Sequence, residues 1–249
     1  MKPTASFVLA LCLIAAPSFA QGEKGWLDVN VGIAAAAEDA YGTTASRRVF
    51  SENATFGAAY VFGRGASFDV GGGYMFTPVV GIGVNLQGTA HEGIPGLTIR
   101  IPHPLFFNSF ASDTSIGDTA LTRAEGSVHF QAMFVATPKS NRVRVRFFGG
   151  PSFFRVTQDT VDDIRYAQVF QVFGTGNSVD ITTYEYSESE GSGWGFHGGA
   201  DVGVFFNRHV GVGGFARFSR GSVELADFSG IYEVAAGGLQ TGGGLRLKF

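Results

Sequence analysis

The sequence predicts an all-β chain: a transmembrane antiparallel up-and-down β-barrel of about eight strands, with long loops at one end. Three observations predict it. Short segments alternate apolar residues with polar residues or glycine, the period-2 pattern of a strand with two different faces. The 249 residues include 37 Gly and 25 Phe, and no stretch reaches the roughly 18 consecutive apolar residues that a membrane helix requires. The connections between the alternating segments are short and long in turn, as in barrels that cross a bilayer.

The elements follow in order. Lys2, an unbroken apolar run over residues 7–16 and the small-residue site Ser18-Phe19-Ala20 read as a secretory signal, residues 1–20. The mature chain is then expected to begin at Gln21, with the barrel domain over residues 21–249. The first strand alternates Leu27, Val29, Val31 and Ile33 with Asp28, Asn30 and Gly32. Phe68, Val70, Tyr74 and Phe76 lead to a turn at Thr77-Pro78, and Val80, Ile82, Val84 and Leu86 return from it. Val128, Phe130, Ala132 and Phe134 lead to a turn at residues 138–141, and Val143, Val145 and Phe147 return. Val202, Val204 and Phe206 lead to Asn207-Arg208-His209, and Val210, Val212, Ala216 and Phe218 return. The last strand ends in Leu245, Leu247 and Phe249, with Gly244, Arg246 and Lys248 on its other face. Long connections are expected at residues 36–66, 92–123 and 156–191, and a shorter one at 226–230. Residues 54–62 (ATFGAAYVF) are strand-like themselves. They read as a hairpin extension above the membrane; if they span it, the strand count becomes ten.

Charge and cysteine usage bound the chemistry. The formal charge is −3, without a basic patch, which argues against nucleic acid as a partner. Cys12, the single cysteine, falls in the expected signal, so the mature chain is expected to carry neither disulfides nor thiolate metal sites.

If the apolar residues touch lipid, their alternates look inward. They include Asp28, Asp69, Glu125 and Asp201, and also Arg144, Arg146, Arg217 and Arg246. Asn85, Gln87, His129, Gln131, His197 and Gln240 join them. Four acids against four arginines are nearly neutral, and buried charges must be paired or cost several kcal/mol each. An eight-stranded barrel has an interior that side chains can fill. The expectation is a lumen plugged by ion pairs, with a gated narrow channel as the alternative.

Catalytic and cofactor signals are weak. His197 and Asp201 share a strand face but stand roughly 13 Å apart at 3.3 Å per residue, and no motif fixes a serine beside them. His91-Glu92 lacks the second histidine of a zinc-binding helix, and Gly174-Thr175-Gly176 lacks a third glycine and a following helix. His103 stands between two prolines with no partner histidine. No catalytic, cofactor or metal residue is assigned, and an enzyme is not expected. The second long loop, with Leu105, Phe106 and Phe107, is unusually apolar. It is expected to pack over the barrel mouth or against other loops, or to form a hydrophobic binding patch. The third loop carries Asp159, Asp162, Asp163, Asp180, Glu185, Glu188 and Glu190 against Arg165. It reads as a solvated acidic loop, or as one bridged through divalent cations to lipopolysaccharide phosphates.

The final strand resembles the C-terminal strand of bacterial outer-membrane proteins. Gly244, Leu247 and Phe249 match that pattern, and the resemblance implies a signal read by the barrel-assembly machinery. The whole alternating chain is similar to the small outer-membrane barrels: the OmpA transmembrane domain, OmpX and OmpW. GASFDVGGGY, IPHPLFFNSF and FFGGPSFFRV also resemble an uncharacterised family of outer-membrane β-barrel proteins, which implies no ligand. The resemblance implies a monomer in the bacterial outer membrane, in contact with outer-membrane lipid and lipopolysaccharide. It implies a structural or surface-interaction role or, as with OmpW, uptake or binding of small hydrophobic molecules. A lipid-modifying enzyme is a distant third reading. The cell-wall tether of full-length OmpA, a peptidoglycan-binding domain, is not expected after Phe249.

Overall fold

A computed structural model of the chain describes residues 24–38, 40–137 and 142–249. The expected signal and the turn at 138–141 lie outside the described residues. The described strands are β1 (Gly25–Ala34), β2 (Ala40–Val49), β3 (Glu52–Val61), β4 (Gly65–Met75), β5 (Val80–Gly93) and β6 (Gly96–Pro102). They continue as β7 (Phe110–Ile116), β8 (Leu121–Val135), β9 (Val143–Phe170), β10 (Asn177–Phe205), β11 (Val210–Asp227) and β12 (Gly230–Lys248).

Eight of them close a barrel in the order β1-β12-β11-β10-β9-β8-β5-β4, every pair antiparallel. Phe249 fixes the closure: Gly25 N–H donates to its carbonyl at 2.7 Å, and its own N–H donates to Gly25 O at 3.0 Å. Closure pairs every barrel strand on both sides, which is what hydrocarbon demands of a spanning backbone. Leu27, Val84, Phe130, Phe147, Val202, Phe218 and Leu245 face outward, while Asp28, Asn85, His129, Arg146, Asp201, Arg217 and Arg246 face inward. In water that exposed apolar band would drive aggregation; in a bilayer it is the lipid contact.

Residues 54–62 lie above the barrel, not in its wall. They form β3, which pairs with β2 and β6, and β6 pairs with β7. The first two long connections therefore merge into a separate four-stranded sheet, order β2-β3-β6-β7. The third is no loop either: β9 and β10 continue as one ladder for 28 and 29 residues, to the turn beyond Phe170. Residues 54–62 are the hairpin extension expected of them, and the rest of these three segments differs from the irregular loops expected there. Backbone amides well above the membrane find β-partners in each other, and their apolar side chains find a core.

That core joins the sheet to the protruding β9–β10 ribbon. Phe56, Leu97, Ile99 and Ile101 pack with Leu121, Val161, Ile164 and Val179, all buried. Burial of each such side chain contributes about 1.5–3 kcal/mol, which is how a loop region becomes a folded cap. The β2–β3 turn is a two-residue turn with positive φ at Phe50 (52°) and Ser51 (79°). Both central residues in that region make the tight hairpin that matches strand twist.

Candidate functional site

The inward faces form stacked polar layers. Nearest the short-turn end, Arg146 on β9 donates through Nη2 to Asp28 Oδ2 and Asp201 Oδ1, each at 2.5 Å. Arg246 on β12 grips the other oxygen of Asp201 through Nε at 2.9 Å and Nη2 at 2.5 Å. Its Nη1 donates to Asn30 Oδ1 at 2.5 Å. The Arg146 guanidinium also lies 5.1 Å from the centre of the Trp26 ring. Two arginines and two aspartates from four strands thus neutralise each other across the barrel.

Glycine makes room for them. A Cβ on Gly213 would come within 2.9 Å of Arg246 Nε and 2.6 Å of the Val202 carbonyl.

The next layer joins Arg217 Nη1 to Asp69 Oδ2 at 2.7 Å, while Asn30 Nδ2 donates to Asp69 Oδ1 at 2.7 Å. Above it His129 and His197 flank Ser152: Oγ lies 2.7 Å from His129 Nδ1 and 2.9 Å from His197 Nδ1. His129 Nε2 meets Gln87 Oε1 at 2.8 Å. Ser152 and His129 are fully enclosed, so the serine has no open side that an acyl substrate could approach. The last polar layer pairs Arg123 with Glu125: Nε donates to Oε1 at 2.8 Å. Gly237 N–H donates to Glu125 Oε2 at 2.8 Å. Phe154, Val156, Val223, Leu225, Val234 and Ala236 pack beside these polar groups as a buried apolar cluster.

Of the inward charges named from sequence, Asp28, Asp201, Arg146 and Arg246 come together in one cluster, and Asp69 meets Arg217. Glu125 pairs with Arg123, the last residue of the connection expected at 92–123 and in fact part of β8. The alternation Arg123, Glu125, Ser127, His129 was the available signal. Arg144 is half-buried at the short-turn end, its guanidinium 6.0 Å from the Phe205 ring centre. As expected, His197 and Asp201 do not touch: each bonds to the neighbouring strand β9 instead, His197 to Ser152 and Asp201 to Arg146. Among the described residues, no group of three or more His, Cys, Asp or Glu could hold a metal ion.

Three tyrosines connect lumen and cap. Tyr41 stacks on Tyr60 at 5.1 Å and lies 5.9 Å from Tyr232. Tyr60 Oη accepts from the Val161 N–H at 2.9 Å, and Tyr41 Oη accepts from Gln158. Burial pushes the Tyr41 and Tyr60 phenols, on the cap strands, above their ordinary value.

Leu105, Phe106 and Phe107 occupy the β6–β7 hairpin tip, not the barrel mouth. The tip lies about 20 Å along β6 from Gly96, at 3.3 Å per residue. His103 orders it: its buried Nδ1 accepts N–H bonds from Leu105 at 3.0 Å and Phe106 at 3.3 Å. The tip rests on the β9–β10 ribbon, where His103 meets the Phe170 ring at 5.8 Å and Gln168 donates to the Pro102 carbonyl at 3.0 Å. Phe107 remains 74% exposed and Phe173, on the neighbouring turn, 97%. The acidic third segment is the ladder itself: Asp163 pairs with Arg47 at 2.9 Å, and Glu185 pairs with Arg165.

A family model described as outer membrane protein beta-barrel domain matches residues 6–222. Among solved structures, the chain is similar to the outer membrane protein OprG from Pseudomonas aeruginosa, at 9% identity and a TM-score of 0.46. That alignment covers 91% of this chain and 97% of the other. None of the curated proteins matches.

Proposed function

We propose, since this chain belongs to the outer membrane protein beta-barrel domain family, that its barrel is a sealed anchor in the outer membrane and that its work is done by the folded cap outside. The observation that carries the reading is the lumen. Between Asp28, Asp69, Arg146, Asp201 and Arg217 the remaining void is about 20 Å³, room for a water molecule and no solute. Paired guanidinium and carboxylate groups hold that packing from four strands at once. In this reading the ion pairs are a plug, and no catalytic, cofactor or metal site is needed. Phe249, with Gly244 and Leu247, serves as the signal for the barrel-assembly machinery.

The exposed apolar tip favours a second reading, binding of small hydrophobic molecules. Phe106 and Phe170 flank the His103 ring, and Leu105 and Phe107 beside Phe106 are exposed apolar residues of the same tip; exposed apolar patches mark contact sites. The buried cap core lies between this patch and the lumen, which supports a surface contact over an uptake route. Replacement of Phe106 and Phe107 by Ser tests the surface role. The variant should keep its heat-dependent gel migration and lose most binding of a hydrophobic fluorescent probe to the folded chain. Unchanged probe binding would remove the tip from the proposal.

A further inference from the structure

A groove of about 490 Å³ crosses the outside of the barrel. The register sets Phe68, Gly88, Gly126 and Arg155 side by side on β4, β5, β8 and β9, with Ala90 beside Ala124 in the adjacent row. These positions point outward, alternating with the inward Gln87, Thr89 and Glu125. The groove exists because four neighbouring outward positions carry at most a methyl group.

Backbone geometry does not require glycine there. A Cβ on Gly88 would meet nothing within 4 Å, and one on Gly126 would meet only the Arg155 carbonyl at 4.0 Å. Residue choice, not strain, leaves the space open.

The groove continues the lipid-contact band. The next outward residues toward the membrane centre are Leu86, Val128 and Phe153. It opens at the cap end, which places it in the outer leaflet, since the long segments of such barrels lie outside the cell. Arg155 stands at its rim, two residues beyond Phe153, and Phe153 packs edge-on against Trp194 at 5.3 Å. Aromatic side chains of that kind mark the level of the lipid head groups. The Arg155 side chain is 65% exposed and holds Glu190 at 2.5 Å.

We propose that this groove binds a phosphorylated glycolipid of the outer leaflet, one acyl chain in the groove and a phosphate on Arg155. An apolar groove continuous with the bilayer contact is filled by a bilayer lipid. A cation at head-group height selects an anionic one, and the planar guanidinium suits two phosphate oxygens. Glu190 is the competitor: an exposed ion pair is weak, so exchange of carboxylate for phosphate is cheap.

The test is native mass spectrometry of the full folded chain in detergent, titrated with diphosphoryl lipid A and separately with phosphatidylethanolamine. Lipid A should be retained by the wild type at low lipid concentration and phosphatidylethanolamine should not. Arg155→Glu should lower lipid A affinity about tenfold, and Glu190→Gln should raise it. Gly88→Leu, for which the structure has space, should lower it by filling the groove while the fold persists. Equal retention of the two lipids, or equal lipid A binding by the wild type, Arg155→Glu and Gly88→Leu, would overturn the proposal.

Discussion

Asp201 holds two guanidinium groups, one on each carboxylate oxygen, inside the barrel. Asp201→Asn leaves Arg146 and Arg246 facing each other with Asp28 alone between them. Loss of one partner from a buried charge cluster costs about 3–5 kcal/mol. Urea unfolding of the variant in micelles should show a loss of that size, with the folded variant still inserting. The tyrosine trio gives a pH prediction. Its two cap members, Tyr41 and Tyr60, are held above the ordinary value of 10.0 by burial. A raised folded value means their contribution to stability is complete below pH 10 and is lost as pH rises through the folded values. Ultraviolet titration should show these phenols ionising late, together with loss of cap structure, and replacement by Phe should remove that late step. The alternation showed from sequence which residues look inward. It could not show who meets whom, because Arg146 and Asp28 stand 118 positions apart and meet only through strand order and register.

The cap is the element that the sequence concealed. In β9 and β10 the period-2 pattern breaks where the ladder shifts register, between Ile181 and Thr183 and between Glu185 and Tyr186. Asp162 and Thr182 are the extra residues, so Val161 and Ile164 both face the core although three positions apart. A run with that spacing reads as loop. Residues 54–62 were legible as a hairpin extension, but their partners β2 and β6–β7 were not: the cores of these strands are completed by each other and by β9–β10, so none looks half-buried alone. Phe56 sits at that junction, 4% exposed. Phe56→Ala should cost the cap about 3–5 kcal/mol. Hydrogen exchange should quicken in β2, β3, β6 and β7 and stay slow in the barrel strands; uniform acceleration through the barrel would show that cap and barrel are one cooperative unit.

At the scale of the whole molecule, two surfaces with opposite demands share one set of strands. Outward positions carry Phe, Val and Leu into hydrocarbon, and inward positions carry ion pairs that would be intolerable there. The eight-stranded wall and the sense of each strand were legible, because a one-residue slip would turn every charge toward lipid. Charge balance and strand number led to the expectation of a plug, but the contacts that would make it, Arg146 to Asp28 at 2.5 Å and Arg217 to Asp69 at 2.7 Å, join residues far apart in sequence, and no local pattern encodes them. Single-channel recording in planar bilayers tests the sealed lumen most directly. The folded wild type should give no large, stable conductance steps from barrels whose insertion is verified; regular ohmic steps from the wild type would contradict the plug.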